Sequence, residues 1–222
     1  MNCIPSLRYK TDRQRFVVKT YAIVMLQCLF TAACTGYVYH SKPAKKWMKE
    51  HSYLHYVALV TGIILMLVIM CFKKIARKVP INYILLFVFT AVWSYMVAGF
   101  TMYFPAEIVL CAAVTTFMMT VGLTLVALFM KKDITVWGGL LGAASLALIP
   151  LIIFAMFFPS RLLYIIVTVV VIVLSSIYIV YDTQRITRGH LGYDEYIVGA
   201  LSLYTDIINL FMALLGMGGQ VS

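Results

Sequence analysis

Acidic side chains are scarce in this sequence, with only eight Asp and Glu among 222 residues, and all charged types together reach just 12%. A soluble domain carries about a quarter charged residues and is about half apolar, so this chain has too little polar surface to cover itself in water. With hydrophobic residues at 63%, it is also too apolar to be disordered. Short alternating segments of the kind that build a transmembrane β-barrel are missing as well. These absences leave a polytopic helical membrane protein.

Other chemistries are excluded in the same way. The five cysteines (Cys3, Cys28, Cys34, Cys71, Cys111) show no CxxC spacing and mostly fall inside apolar runs, and the four histidines (His40, His51, His55, His190) are scattered, so no zinc site is expected. No GxxxxGK[ST] phosphate loop and no low-complexity segment occurs. Gly138, Gly139 and Gly142 resemble nucleotide-binding glycines only superficially, because small residues in a membrane helix serve close packing. Pro150 marks an expected kink in the same span. No room is left for an extramembrane catalytic domain, so neither enzymatic activity nor a cofactor is expected. The net charge of +10 comes from clusters that flank apolar runs, which argues for membrane topology and against nucleic acid.

What is present is a series of spans, read as a single polytopic domain over 1–222. A span needs about 20 mainly apolar residues. Seven runs qualify: 16–39, 54–72, 81–104, 108–130, 136–158, 162–181 and 196–215, preceded by a short basic cytosolic arm at 1–15. The first run is longer than the apolar core of a signal peptide and is expected to be retained. The last ends in Gly216, Met217, Gly218 and Gly219 with no basic anchor, which suggests a short or re-entrant segment.

With the N-terminus in the cytosol, thirteen of the eighteen basic residues fall on that side. The positive-inside rule favours this orientation. One loop opposes it, since Lys42, Lys45, Lys46 and Lys49 then lie on the lumenal or outer side.

Most acids sit in loops or at span ends, but Asp206 lies near the middle of the final run. A charge at that depth costs about 2.5 to 3.5 kcal/mol and must face a partner or a water-filled cavity. Asp182 closes the sixth span, 24 positions earlier, and the midpoint of the pair falls at residue 194, in the turn between the last two spans. In an antiparallel hairpin such residues share one depth. Gly199, Ser202, Asp206, Asn209 and Ala213 form a small, polar stripe on the seventh span, and Thr168, Ser175 and Asp182 recur along the sixth. Facing stripes make a polar seam in which two carboxylates meet.

Two carboxylates together in a low dielectric do not both ionise cheaply, so they tend to share a proton. Such a dyad suits pH sensing, and its oxygens are ligands of the type calcium prefers. The bland alternative makes Asp206 and Asn209 hydrogen-bonding glue and Asp182 a helix end. Lys73, Lys74, Arg77 and Lys78 end the second span on the same side as the turn, where one basic residue reaches the dyad or all serve as membrane anchors. Paired aspartates also occur in intramembrane aspartyl proteases, but the GxGD-type context is absent around Asp206, which follows Leu203, Tyr204 and Thr205.

The run 199–211 (GALSLYTDIINLF) is similar to the signature of the transmembrane Bax inhibitor-1 motif family, also called the Lifeguard family, and Tyr181 to Gln184 (YDTQ) matches its companion motif. Arg77 and Lys78 followed by Pro80 and Asn82, and the loop Lys131, Lys132, Asp133, fall where family members carry such features. The resemblance implies an all-α membrane protein of seven transmembrane helices, six surrounding a central C-terminal helix. It implies a pH-sensitive calcium leak channel in which Asp182 and Asp206 gate the pore and bind calcium, the permeant ion. A basic latch from Arg77, Lys73 or Lys74 and a seam of Ser175, Ser202 and Asn209 complete the expected site.

The same resemblance implies an endoplasmic reticulum or Golgi protein, or one of the plasma membrane, that inhibits apoptosis. Its partners are then the lipid bilayer, calcium ions and other membrane proteins of cell-death or calcium-release pathways. Two other functions fit the residues: a non-conducting scaffold that regulates cell-death signalling, and a proton-coupled calcium exchanger.

Overall fold

The computed structural model describes residues 5–72, 76–158 and 160–221, of which 5–10, 156, 220 and 221 by backbone alone. The described residues form helices and no strands. In chain order these are α1 (Pro5–His40), α2 (Lys42–Glu50), α3 (Tyr53–Cys71), α4 (Ile81–Thr101), α5 (Ala106–Phe129), a 3-10 turn (Thr135–Trp137), α6 (Gly138–Phe157), α7 (Arg161–Thr187) and α8 (Tyr196–Val221). Seven of them, all but α2 and the 3-10 turn, are long and apolar enough to cross a bilayer. The surface is apolar, with Leu26, Phe117 and Phe129 exposed by 67%, 66% and 81%, as a lipid-facing surface requires.

The helices overrun the bounds read from hydropathy wherever nothing stops them. The basic stretch before residue 16 belongs to α1, which begins at Pro5. α7 continues past Tyr181 to Thr187, so Asp182 sits inside the helix and not at its end. The physical reason is the absence of Gly or Pro from 161–188; the helix stops only before Gly189, whose φ of 92° lies in the left-handed region. Thr187 Oγ1 donates to Thr183 O at 2.7 Å and so satisfies itself within the helix.

The glycine-rich end of α8 is neither short nor re-entrant, since the helix runs through it to Val221. A Cβ on Gly216 would strike the Tyr164 hydroxyl, one on Gly218 would strike Ile108, and one on Gly219 would strike Phe104. These glycines are a packing surface. On α6 the expectation of packing holds for Gly138, which lies against the Tyr181 hydroxyl, and fails for Gly139 and Gly142, which face open space.

The chain divides into two compact units. The first comprises Met1–Tyr103 and Gly189–Tyr204. In it α1 packs on α4 through a ladder of polar side chains: Gln27 Nε2 donates to Thr90 Oγ1 at 2.8 Å, and Thr31 Oγ1 lies 2.9 Å from Ser94 Oγ and 2.8 Å from Tyr204 Oη. Burying hydroxyls in an apolar helix is tolerable only when they bond to each other or to backbone. The Arg13 guanidinium donates to Leu191 O at 2.9 Å, which ties the turn before α8 to the start of α1. On the far side of this unit α3 lies against α4, with Trp93 over Gly62 and His55 against Gly99.

The second unit comprises Phe104–Arg188 and Thr205–Ser222. Here α7 packs on α5 and α6. A hydrogen bond of 2.8 Å joins the hydroxyls of Ser145 and Tyr178. Both acids of the expected dyad belong to this unit.

Candidate functional site

On α7 the four-residue run Tyr181, Asp182, Thr183, Gln184 spreads its side chains around the helix, and each meets a different surrounding. The Tyr181 ring lies edge-on to Tyr178 at 6.2 Å, and its hydroxyl lies over Gly138. Thr183 and Gln184 have no exposed surface. Asp182, buried at 6% exposure, makes a carboxyl–carboxyl hydrogen bond with Asp206 of α8.

A hydrogen bond between two carboxyl groups exists only while one oxygen carries a proton. Asp206 Oδ2 is shut off from solvent, and no N–H or O–H of another described residue donates to it. On the other flank, Arg185 Nη1 stands 3.8 Å from Asp182 Oδ1, one turn along the same helix. The pair therefore has a cation beside Asp182 and, at Asp206, one oxygen shut off from solvent.

The remaining candidate residues separate. Ser175 is buried on α7, at 5% exposure, and Asn209 is half-buried on α8, both in the second unit with the dyad. Ser202 belongs to the first unit, where its Oγ is buried with no hydrogen-bond partner among the described residues. Arg77 also belongs to the first unit, and its Nη2 donates to Glu195 Oε1 at 3.0 Å. Lys73 and Lys74 lie outside the described residues.

Two residues carry more than their sequence pattern suggested, Gln184 in the second unit and Glu195 in the first. Gln184 clamps the loop after α5: its Oε1 accepts from Ile134 N at 2.9 Å, while its Nε2 donates to Lys132 O at 3.1 Å and to Ala127 O at 3.4 Å. Arg188, just past the helix, donates to Met130 O and lies 3.9 Å from Asp133 Oδ2. Asp133 in turn accepts from Thr135 N at 2.9 Å and starts the 3-10 turn. Glu195 is the second such residue: besides holding Arg77, its Oε2 accepts from Gly192 N at 3.1 Å and so braces the turn before α8. The YDTQ match was the available signal for Gln184, whereas Glu195 reads in sequence as an ordinary loop acid.

Seven apolar helices, polar side chains turned inward and an aspartate pair held between two of the helices define a multipass integral membrane protein. The family model described as "Inhibitor of apoptosis-promoting Bax1" matches residues 13–221, and the chain belongs to that family. It is 33% identical to Protein LIFEGUARD 1 of Arabidopsis thaliana over 96% of this chain and 92% of that protein. It is also 30% identical to Protein lifeguard 4 of Mus musculus, over 91% and 84% of the two chains, and 26% identical to Protein lifeguard 3 of Homo sapiens, over 94% and 69%.

Proposed function

We propose that this protein is a pH-sensitive calcium leak channel of an intracellular membrane, endoplasmic reticulum or Golgi, that lowers store calcium and thereby opposes apoptosis. The observation that carries the proposal is the Asp182–Asp206 contact, two carboxyl groups brought together inside a membrane-spanning hairpin. Ionisable groups at such positions mark ion pathways, because the cost of burying them has to be offset by a function or a partner.

The dyad supplies two carboxylates, whereas calcium is held tightly by about six to eight oxygens. A site so lightly equipped favours passage over storage. Its gating follows from charge. Ionised Asp182 holds Arg185 across 3.8 Å, and protonation of the pair removes the attraction, so acidification releases the cation and shifts the population towards the open state. Arg77, Lys73 and Lys74 stay part of this proposal as latch residues. Suppression of cell death is the consequence drawn from family membership, as are partner proteins in cell-death or calcium-release pathways.

The test is calcium flux from proteoliposomes across a pH series, parent against Asp206→Asn. A parent flux that rises on acidification and a flattened response in the variant are expected. Equal flux and equal pH response in both would overturn the dyad mechanism. No flux from either protein, with cell protection intact after loss of both aspartates, identifies a scaffold instead. Flux that follows an imposed proton gradient, and not pH itself, identifies an exchanger.

A further inference from the structure

The loop that opposes the positive-inside rule is not a loop. Residues Lys42–Glu50 form α2, a helix capped by Ser41, whose Oγ accepts from Ala44 N at 3.4 Å, with Pro43 in its first turn. Met48 is buried at 3% exposure and Ala44 is half-buried on the same face, while Lys42, Lys46 and Lys49 are exposed on the other. Four lysines stand against the single acid Glu50.

The depth of this helix in the bilayer is marked by its neighbours in the first unit. Tyr37, Trp47, Tyr53, Tyr56 and Tyr103 are exposed by 69%, 48%, 58%, 73% and 64%. Exposed Tyr and Trp rings at the ends of spans gather at the headgroup level. Two of the lysines rest on tyrosine rings, Lys45 Nζ 4.1 Å from the centre of the half-buried Tyr39 and Lys49 Nζ 5.8 Å from that of the exposed Tyr103. These contacts hold ammonium groups over the ring faces, at the depth of the rings. The pair Lys46–Glu50, at 3.8 Å and with both side chains mostly exposed, is too weak to neutralise the face.

The geometry points to α2 as a binding surface for anionic phospholipid headgroups, on the bilayer face at the opposite end of α1 from its contact with Leu191. Met48 packs into the protein and Trp47 stays exposed, so α2 is held at the span ends with its lysines outward, where a cationic helix meets lipid headgroups. The complement to its excess positive charge at that depth is a phosphate diester that carries no balancing ammonium. This accounts for lysines on the face where the positive-inside rule leaves them unexplained: they bind the headgroups there.

The test uses the full chain in nanodiscs, with Trp93→Phe and Trp137→Phe so that Trp47 alone fluoresces. Quenching by acyl-brominated phosphatidylglycerol is compared with quenching by acyl-brominated phosphatidylcholine at equal mole fraction. The anionic lipid is expected to quench at least about twofold more strongly, since each lysine near the surface favours anionic lipid, and Lys42→Gln with Lys46→Gln is expected to remove the preference. Equal quenching by the two lipids overturns the proposal, as does a preference that survives the lysine substitutions. If the tryptophan variant does not fold, native mass spectrometry of the parent and the two-lysine variant from mixed-lipid nanodiscs decides it. Loss of bound phosphatidylglycerol in the variant supports the site, and unchanged lipid counts overturn it. An acidic peptide that shifts Trp47 emission where anionic lipid does not makes the surface a protein-docking site and overturns the lipid reading.

Discussion

Gln184 Oε1 accepts a 2.9 Å hydrogen bond from the backbone N–H of Ile134, fifty residues away, and so fixes the end of α7 to the loop that follows α5. The same side chain satisfies two carbonyls, and it has no exposed surface. Replacing it by Ala orphans one buried donor and two acceptors. Gln184→Ala is expected to destabilise the fold by about 1–3 kcal/mol. Thermal unfolding in detergent measures this, and Gln184→Glu should be no rescue because Glu lacks the amide donors.

In the proposed mechanism Asp182 and Asp206 share one proton, so they act as one unit and substitutions in them should not add. The expectation is that Asp182→Asn, Asp206→Asn and the double variant each flatten the pH response of calcium flux to the same level. Arg185→Gln is expected to raise flux at neutral pH towards the parent's acidic value, because the cation that senses the charge of Asp182 is gone. A double variant with clearly additive loss would show two independent sites.

The ion pair Arg77–Glu195 is asymmetric. Its glutamate side chain is 11% exposed and its arginine 46%, so solvent screens the arginine end. Arg77→Ala is expected to cost below about 1 kcal/mol. Glu195→Ala also removes the acceptor of Gly192 N–H and is expected to cost about 1–3 kcal/mol. Unfolding midpoints of the two variants, read side by side, check the order.

Three glycines near the start of α6 look alike in sequence and differ in surroundings. Gly138→Ala drives a methyl group into the Tyr181 hydroxyl and is expected to destabilise by about 1–3 kcal/mol. Gly139→Ala and Gly142→Ala meet nothing within 4 Å and are expected to be neutral or to stabilise by up to about 1 kcal/mol through helix propensity. A thermal-shift series of the three variants separates the two cases.

A long apolar helix lies over each run read from hydropathy, because apolar length is a local property that needs no knowledge of neighbours. Hydropathy misplaced ends at Tyr181 and Leu215, since a helix persists through polar or glycine residues when packing supports it. Gly216, Gly218 and Gly219 illustrate this, being held in α8 by Tyr164, Ile108 and Phe104. The meeting of Asp182 and Asp206 was legible too, because equal distance from a tight turn sets equal depth in a hairpin. Arg185 was missed beside Asp182 although it stands only three residues on, as attention to loops treats a basic residue near a span end as an anchor.

By itself the sequence determined the medium, the number of apolar helices and the depth of the paired acids, all of which follow from composition and from the fixed rise and period of a helix. Only the tertiary structure decided which charges pair and which polar groups are satisfied: Arg77 with Glu195, Gln184 with the loop at 132–134, Thr31 with Tyr204. These depend on how each helix is rotated and how closely it packs. In a membrane that is set by the fit of side chains, not by hydrophobicity, because lipid is as apolar as the helices it surrounds.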